Sequence, residues 1–522
     1  FVQRCGHREH TSASAMRLST PVRAARDWHV RSIEVFTCML PRKPHGFCAN
    51  TGQLQQGSVF VRVRAKQGPR RLEGVGCTQE FFPAGSTSAT VSKSICALVN
   101  AMGLPGRTLS IKDSPLEHGA DAATQRGLND PHIIAGKKAD AAIEHCLSDL
   151  HVIAGNQFQP FPPQALSAVD MALWDLRGRI LGVPLWKLLR QKMALQDAAA
   201  SESAKGVCDA PSYFASVDPN PLEVYASVPH LEAQEAEAWP AVIKECVHDG
   251  FPIRTVKLHG FGDTRDQALV RAVHQQSLKP EKAEAQHRRW MLDVHGQYSG
   301  TKGVKEVLGL LNEMSCAGPG FLWLESPFPD GQVSSYAQVR AQQPTLELLP
   351  GGNTILDPEV LTSMLAGCHD PSWTCGRFDV SICGGISGAL RLRAAYRASG
   401  IQRLELHKWG HGCAQAANLH FMAADGTGSF FELPVDWKAG GPASLETVQP
   451  DGTPILVDDD RAAGAITALS GDFLIGMRQL GIRFELRDGF IAALPTTRNG
   501  LGLQMDWDQI REISCNHATL EA

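Results

Sequence analysis

Between Ser167 and Leu189 the chain reads S-A-V-D-M-A-L-W-D-L-R-G-R-I-L-G-V-P-L-W-K-L-L. Ala168, Met171, Ala172, Leu176 and Ile180 recur at three- and four-residue steps, which predicts an amphipathic helix with one face packed inward. Gly182 ends that run, and Pro184 opens a shorter helix carrying Leu185, Leu188 and Leu189. Upstream, residues 28–36 and Ser58–Ala65 read as strands, the second with Val59, Val61 and Val63 on one face. Gly74-Val-Gly76 reads as a turn into a further strand. Residues 90–155 are mainly helical in pattern, with a loop-like stretch from Gly106 to Asp130. Strands followed by helices predict a small α+β domain.

Downstream the pattern changes to alternating strands and helices. Strands are expected at Leu222–Ser227, Thr255–His259, Trp290–His295, Phe321–Glu325, Leu346–Pro350, Phe378–Ser381 and Arg403–His407. Helices are expected at Pro240–His248, Asp266–Gln276, Lys302–Glu313, Pro358–Leu365 and Ala389–Ala398. Repeated βα units imply parallel strands with right-handed crossovers, and so a (β/α) barrel. Residues 192–221 are rich in Ala, Ser, Asp and Pro and read as an inserted loop. Phe484–Ile491 reads as a hairpin turning at Asp488-Gly489.

Composition narrows the class without naming a function. The chain has 522 residues, is 43% hydrophobic and 20% charged, and carries a net charge of −4. That size implies more than one domain, and the charge balance gives no footing for nucleic acid. No apolar run approaches the ~18 residues of a membrane span. The 14 Cys residues are scattered without a zinc-type spacing, so the thiols read as buried and reduced. Residues 1–27 hold Arg4, Arg8, Arg17, Arg23 and Arg26 against Glu9 and Asp27, a leader-like stretch left out of the fold. The expected location is cytoplasmic, or organellar if that stretch is a transit peptide.

In a barrel, chemistry sits where the strands end. The polar residues at those ends are Lys257 and His259, Asp293 and His295, Glu325, Asn353, Asp379, His407 and Glu432. A ring of acids and bases contributed by successive strands suits proton transfer and cation binding. Several runs here resemble the mandelate racemase and muconate-lactonizing branch of the enolase superfamily. Trp323-Leu-Glu325-Ser-Pro-Phe resembles W-x-E-E-P-F, and Asp293-Val-His295-Gly296 resembles D-x-N-G. Asp379 to Ile386 resembles D-x-x-x-x-G-G-I, and the run through His407 resembles the strand of the family's catalytic histidine. The helix from Ser167 resembles the one leading into that family's barrel.

The resemblance implies a modified TIM-type barrel (166–470), an α+β capping domain (28–165) and a C-terminal segment (471–522) returning to the cap. It implies Mg²⁺ held by Asp293, Glu325 and Asn353, with His407 as base and Asp379 as its orienting partner. Lys257 then stands on the opposite side of the substrate as a second base or an electrostatic partner, and His295 is a general acid. His259 and Glu432 complete the expected catalytic set. The leading expectation is an acid-sugar dehydratase that removes the proton beside a carboxylate and then expels water. The partner is a small sugar acid, and the assembly a homo-oligomer. Two departures keep other readings open. Lys257-Leu-His259 replaces Lys-x-Lys, which bears on a racemase or epimerase alternative. Gly352 stands where a G-E-N-like run has its Glu, which bears on a catalytically degenerate relative.

Overall fold

The computed structural model describes residues 27–41, 55–79, 87–109, 131–155, 161–200, 218–228, 239–246, 253–277, 288–316, 320–352, 354–366, 373–406, 412–434, 437–438, 441–442, 477–479, 482–487 and 490–522. The first strands, β1 (Trp28–Pro41), β2 (Gln55–Gln67) and β3 (Arg70–Gln79), form an antiparallel meander, and β4 (Thr108–Leu109) pairs with β1. Ile33 lies opposite Val63 and Val35 opposite Val61, which puts the alternating valines of β2 in the core. Helices α1 (Ser88–Ala101), α2 (Pro131–Gly155) and α3 (Pro163–Leu181) follow. The α+β cap expected from the sequence is present.

Gly74 and Gly76 lie inside β3, and the turn falls instead at Gly68-Pro69, between the paired residues Gln67 and Arg70. The reason is a close approach. A Cβ on Gly74 would sit 2.0 Å from the Ala172 carbonyl oxygen, and one on Gly76 would sit 1.9 Å from that of Ala168. Helix α3 lies directly on the β3 backbone, so these strand positions carry no side chain. The helix ends as its pattern predicts, with Gly182 at φ 72° donating to Gly178 O. Helix α4 (Leu185–Ala200) then runs past the expected start of the inserted loop, because its Leu, Gln and Ala residues favour helix. Residues 201–217 of that expected insertion lie outside the described residues.

Parallel strands β5 (Leu222–Ser227), β6 (Thr255–His259), β7 (Arg289–Asp293), β8 (Phe321–Glu325) and β9 (Glu347–Leu349) pair in sequence order. Strand β10 (Phe430–Pro434) closes on β5 in parallel. Between them, helices α5 (Trp239–Cys246), α6 (Arg265–Ser277), α7 (Gly300–Cys316), α8 (Val333–Gln342), α9 (Pro358–Leu365), α10 (Gly385–Ala398) and α11 (Gly412–Asp425) complete the βα units. The expected strand at Phe378–Ser381, and residues 403–406 of the one expected at Arg403–His407, form no ladder among the described residues. Gly376 and Leu404 make a single parallel bridge, and Asp379 O accepts from Ile382 N and Cys383 N in a turn. The Glu405 carboxylate accepts from Ser429 N (2.9 Å) and Phe430 N (3.3 Å), joining that segment to β10 by a side chain.

The C-terminal hairpin, Ile482–Arg487 with Phe490–Pro495, adds to the barrel sheet through Ala492 opposite Glu223. The return to the cap is made further on, where Ser514–Glu521 pairs with β1 and sets Ala518 opposite Val35. Among the described residues no helix is long and apolar enough to cross a membrane. The cysteines described are free thiols, mostly buried, with Cys316 and Cys515 exposed.

Gly76→Ala should therefore cost about 3 kcal/mol, the upper range for overpacking a core. The expected readout is a lower urea midpoint with an unchanged slope. Gly331 has nothing within 4 Å of a built Cβ. Gly331→Ala should stay within about 0.5 kcal/mol of the parent.

Candidate active site at the barrel mouth

Side chains fill the barrel in layers. The lower layer is apolar: Tyr225, Met291, Trp323, Leu349 and Cys375 form a buried cluster of their own. Above it lie charges. Lys257 Nζ is 2.6 Å from Glu432 Oε1, 3.2 Å from Glu325 Oε1 and 3.6 Å from Asp293 Oδ2. Arg377 Nη2 is 2.7 Å from Glu325 Oε1 and 3.7 Å from Glu432 Oε2. Lys257, Arg377, Glu325 and Glu432 are each at most 1% exposed. Asp293 and Glu325 sit opposite each other on β7 and β8, and both face the Lys257 ammonium.

The protonation states follow from this crowding. Burial acts to lower the Lys257 pKa, but Glu325 and Glu432 beside it raise it well above the ordinary lysine value. Burial raises the Glu325 pKa, opposed first by Arg377. A second-base role for Lys257 needs the opposite shift. The missed member of the group is Arg377. It stands two residues before Asp379, and the period of two along an extended segment was the available signal.

One step nearer the mouth, His259 and His295 stack with ring centroids 5.0 Å apart and an interplanar angle of 8°. His259 Nδ1 lies 3.1 Å from His295 Nε2, and His259 Nε2 lies 3.1 Å from Ser227 Oγ. The first contact needs one N–H and one lone pair, so one imidazole donates to the other. Asp293 Oδ1 accepts from His295 N at 3.0 Å. His295 has φ 55° and Ser326 has φ 49°, left-handed conformations just beyond neighbouring strand ends. Such strain is held in place only by its surroundings and concentrates at functional sites.

Asp379 lies in the turn that precedes α10. Its Oδ1 accepts from Ser381 N (2.7 Å), Ser381 Oγ (2.8 Å) and Asn418 Nδ2 (2.9 Å). Asn418, on α11, also accepts from Val380 N and was not singled out by its sequence pattern. Its partner is distant in the chain, and a lone Asn in an apolar helix carries no signal. His420, on the same helix, is buried and accepts from Trp186 N, a structural role. His407 and Asn353 lie outside the described residues.

The oxygen donors can be tested against Mg²⁺, which takes hard oxygen ligands in a near-octahedral array. Asp293 and Glu325 converge on one point, but both Glu325 oxygens already bond cations. Gly352 contributes no side chain, so the donor set described does not fit a three-carboxylate Mg²⁺ site. Asp293 instead joins His259 and His295 in a group whose ligand atoms lie within 4.8 Å of one another, able to hold a metal ion.

Lys257→Met should cost about 3–5 kcal/mol, since it strands buried carboxylates. The raised pKa means this contribution is full at neutral pH and is lost as pH climbs through the folded-state value. The gap between parent and variant in urea midpoint should hold steady from pH 7 upward and shrink only above about 10.4.

Residues 233–455 match the family described as Enolase C-terminal domain-like. Residues 157–190 match the mandelate racemase / muconate lactonizing enzyme N-terminal domain. D-galactarolactone cycloisomerase of Agrobacterium fabrum is 29% identical over 263 residues, 50% of this chain and 57% of that protein. D-gluconate dehydratase of Thermoproteus tenax is 47% identical over 51 residues, 10% of each chain. The alignments thus span little more than half of the first relative and a tenth of the second. Among solved structures, L-talarate/galactarate dehydratase from Salmonella typhimurium LT2 superposes with a TM-score of 0.58 at 16% identity, covering 99% of this chain and 98% of that one. L-talarate dehydratase from Polaromonas sp. JS666, complexed with Mg and L-glucarate, gives 0.58 at 16%, covering 95% and 99%. At such identities the structural likeness speaks for the fold. Within this chain, residues 157–190 and 233–455 are thus segments of the mandelate racemase / muconate lactonizing enzyme type and the Enolase C-terminal domain-like type.

Proposed function

We propose that this chain is an acid-sugar dehydratase, acting on a small polyhydroxy carboxylate and yielding a 2-keto-3-deoxy acid. The reading is carried by the paired imidazoles of His259 and His295, stacked beside Asp293 where strands β6 and β7 end. Expelling hydroxide needs a proton donor, and in this reading His295 is the group that protonates the departing oxygen. His259, coupled to it and to Ser227 Oγ, holds and returns the proton. His407 is the base that first takes the α-proton, by its resemblance to the family's histidine. Asp379, fixed by Ser381 and Asn418, is its orienting carboxylate. Lys257 supplies positive charge near the developing enediolate. The Mg of the solved neighbour is not carried over to these donors, which do not fit it.

The relatives support the class of substrate: their names are of enzymes acting on galactarolactone, gluconate and talarate or galactarate. A racemase needs a second base, and the raised pKa of Lys257 weighs against one. A catalytically silent barrel has its own support in Gly352 and in the cations on Glu325. Product chemistry separates these readings. Aldonic and aldaric acids should yield 2-keto acids, trapped as semicarbazones. A screen giving no keto acid and no exchange of α-protons with solvent would leave the silent reading.

With an active substrate, His295→Asn should slow water loss by ~10²–10⁴ while α-proton exchange with deuterated solvent continues. Unimpaired elimination in that variant removes His295 from the role. His407→Asn should abolish both exchange and elimination with the fold intact. Near-native exchange would remove His407.

A further inference from the structure

Gly352 and Arg377 occupy one another's space. Gly352 has φ 75°, and a Cβ there would lie 2.6 Å from the Arg377 carbonyl carbon and oxygen and 2.8 Å from its Cγ. The turn that holds Gly352 is fixed, because Asp330 accepts from Gly351 N (2.7 Å) and Gly352 N (3.1 Å). Arg377 is held just as firmly. Its Nη1 donates to Glu405 O at 3.3 Å, and its carbonyl accepts from Tyr396 Oη at 3.1 Å. Arg377 Nη2 then lies against Glu325 at 2.7 Å, inside the protein. A side chain at position 352 and this placement of Arg377 exclude each other.

The charges match the sterics. Three carboxylates, Asp293, Glu325 and Glu432, face two fixed cations, Lys257 and Arg377. One net negative charge remains, which is little to attract a divalent ion across the repulsion of two neighbouring cations. A guanidinium is always charged and its planar fork suits a carboxylate, so it serves permanently where an exchangeable ion would come and go.

We infer that Arg377 is a resident cation standing on Glu325 in place of a divalent metal ion, so that these barrel-mouth carboxylates stay folded and neutralised without one. Turnover of a sugar acid plays no part in the inference, and its failure and that of the functional proposal are separable.

The test is Mn²⁺ binding followed by electron paramagnetic resonance, and Mg²⁺ binding by calorimetry, on the purified full chain. The parent should show no binding that depends on Glu325. Arg377→Gln should bind Mn²⁺ tighter than the parent by about tenfold or more, since one opposing charge is gone. Adding Glu325→Gln to that variant should abolish the gain. Thermal melting supplies a second readout: Arg377→Met should melt lower, and Arg377→Met with Glu325→Gln should recover part of the loss. A Mn²⁺ signal in the parent that survives Glu325→Gln but vanishes in His259→Gln belongs to the His259, Asp293 and His295 group and supports the inference. Saturable Mg²⁺ or Mn²⁺ binding in the parent that Glu325→Gln abolishes overturns it. That parent comparison decides the matter even if Arg377→Met fails to fold.

Discussion

The carboxylate of Asp175 joins parts of the chain that are hundreds of residues apart. It is fully buried and accepts from Val75 N in the cap (2.9 Å), Leu501 N in the C-terminal segment (2.7 Å) and Arg179 Nε on its own helix (2.9 Å). The same helix reaches the barrel one and two turns earlier. Ser167 Oγ accepts from Gly384 N and Gly385 N, and Asp170 Oδ1 accepts from Ser387 N. Removing a buried polar group that several backbone donors share leaves each of them unsatisfied, so such joints tolerate little change. Helix α3 is thereby the member on which cap, barrel and C-terminal return all depend. Its grip on Gly384-Gly385 also sets where the loop carrying Asp379 ends and α10 begins.

The site above this frame is an arrangement of costs held in balance. Buried charges are expensive, and their mutual attraction repays desolvation only when geometry and partners are good. Here each cation meets more than one carboxylate, and each carboxylate meets a cation. The apolar layer beneath, with Tyr225 under Lys257 at 5.7 Å, keeps water from below and strengthens those contacts. Strain at His295 and Ser326 belongs to the same economy. Both turns are pinned, since Gly296 N donates to Ser326 O at 2.6 Å. The imidazoles above are thus presented by rigid strand ends, the setting in which a proton is moved most reproducibly.

Much of this was readable along the chain, because the signals are local. The helix from Ser167 and its stop at Gly182 follow from apolar period and glycine chemistry. So do the strands β5 to β8, since each ends in a polar residue, Ser227, His259, Asp293 or Glu325, followed by Gly or Pro within a few positions. The convergence of Lys257, Asp293 and Glu325 follows once those strands are parallel and adjacent. Other features were misread for equally local reasons. Gly74 and Gly76 look like a turn, since glycine in a short window means freedom of φ. Here it means that another backbone passes close by. The hairpin near Asp488 was expected to return to the cap, yet it joins the barrel sheet, because a hairpin's own pattern does not name the edge it pairs with.

The sequence by itself determined the elements, their order and the chemical types at the strand ends. These depend on residues within one or two turns of each other. Only the tertiary structure decided which groups meet. It set Arg377 against Glu325 in the space left by Gly352, paired His259 with His295, and gave Asp379 the distant Asn418. The physical reason is that charge and hydrogen-bond energies depend on separations of a few ångströms. Those separations are set by register and packing between residues far apart in the chain, and no periodicity encodes them.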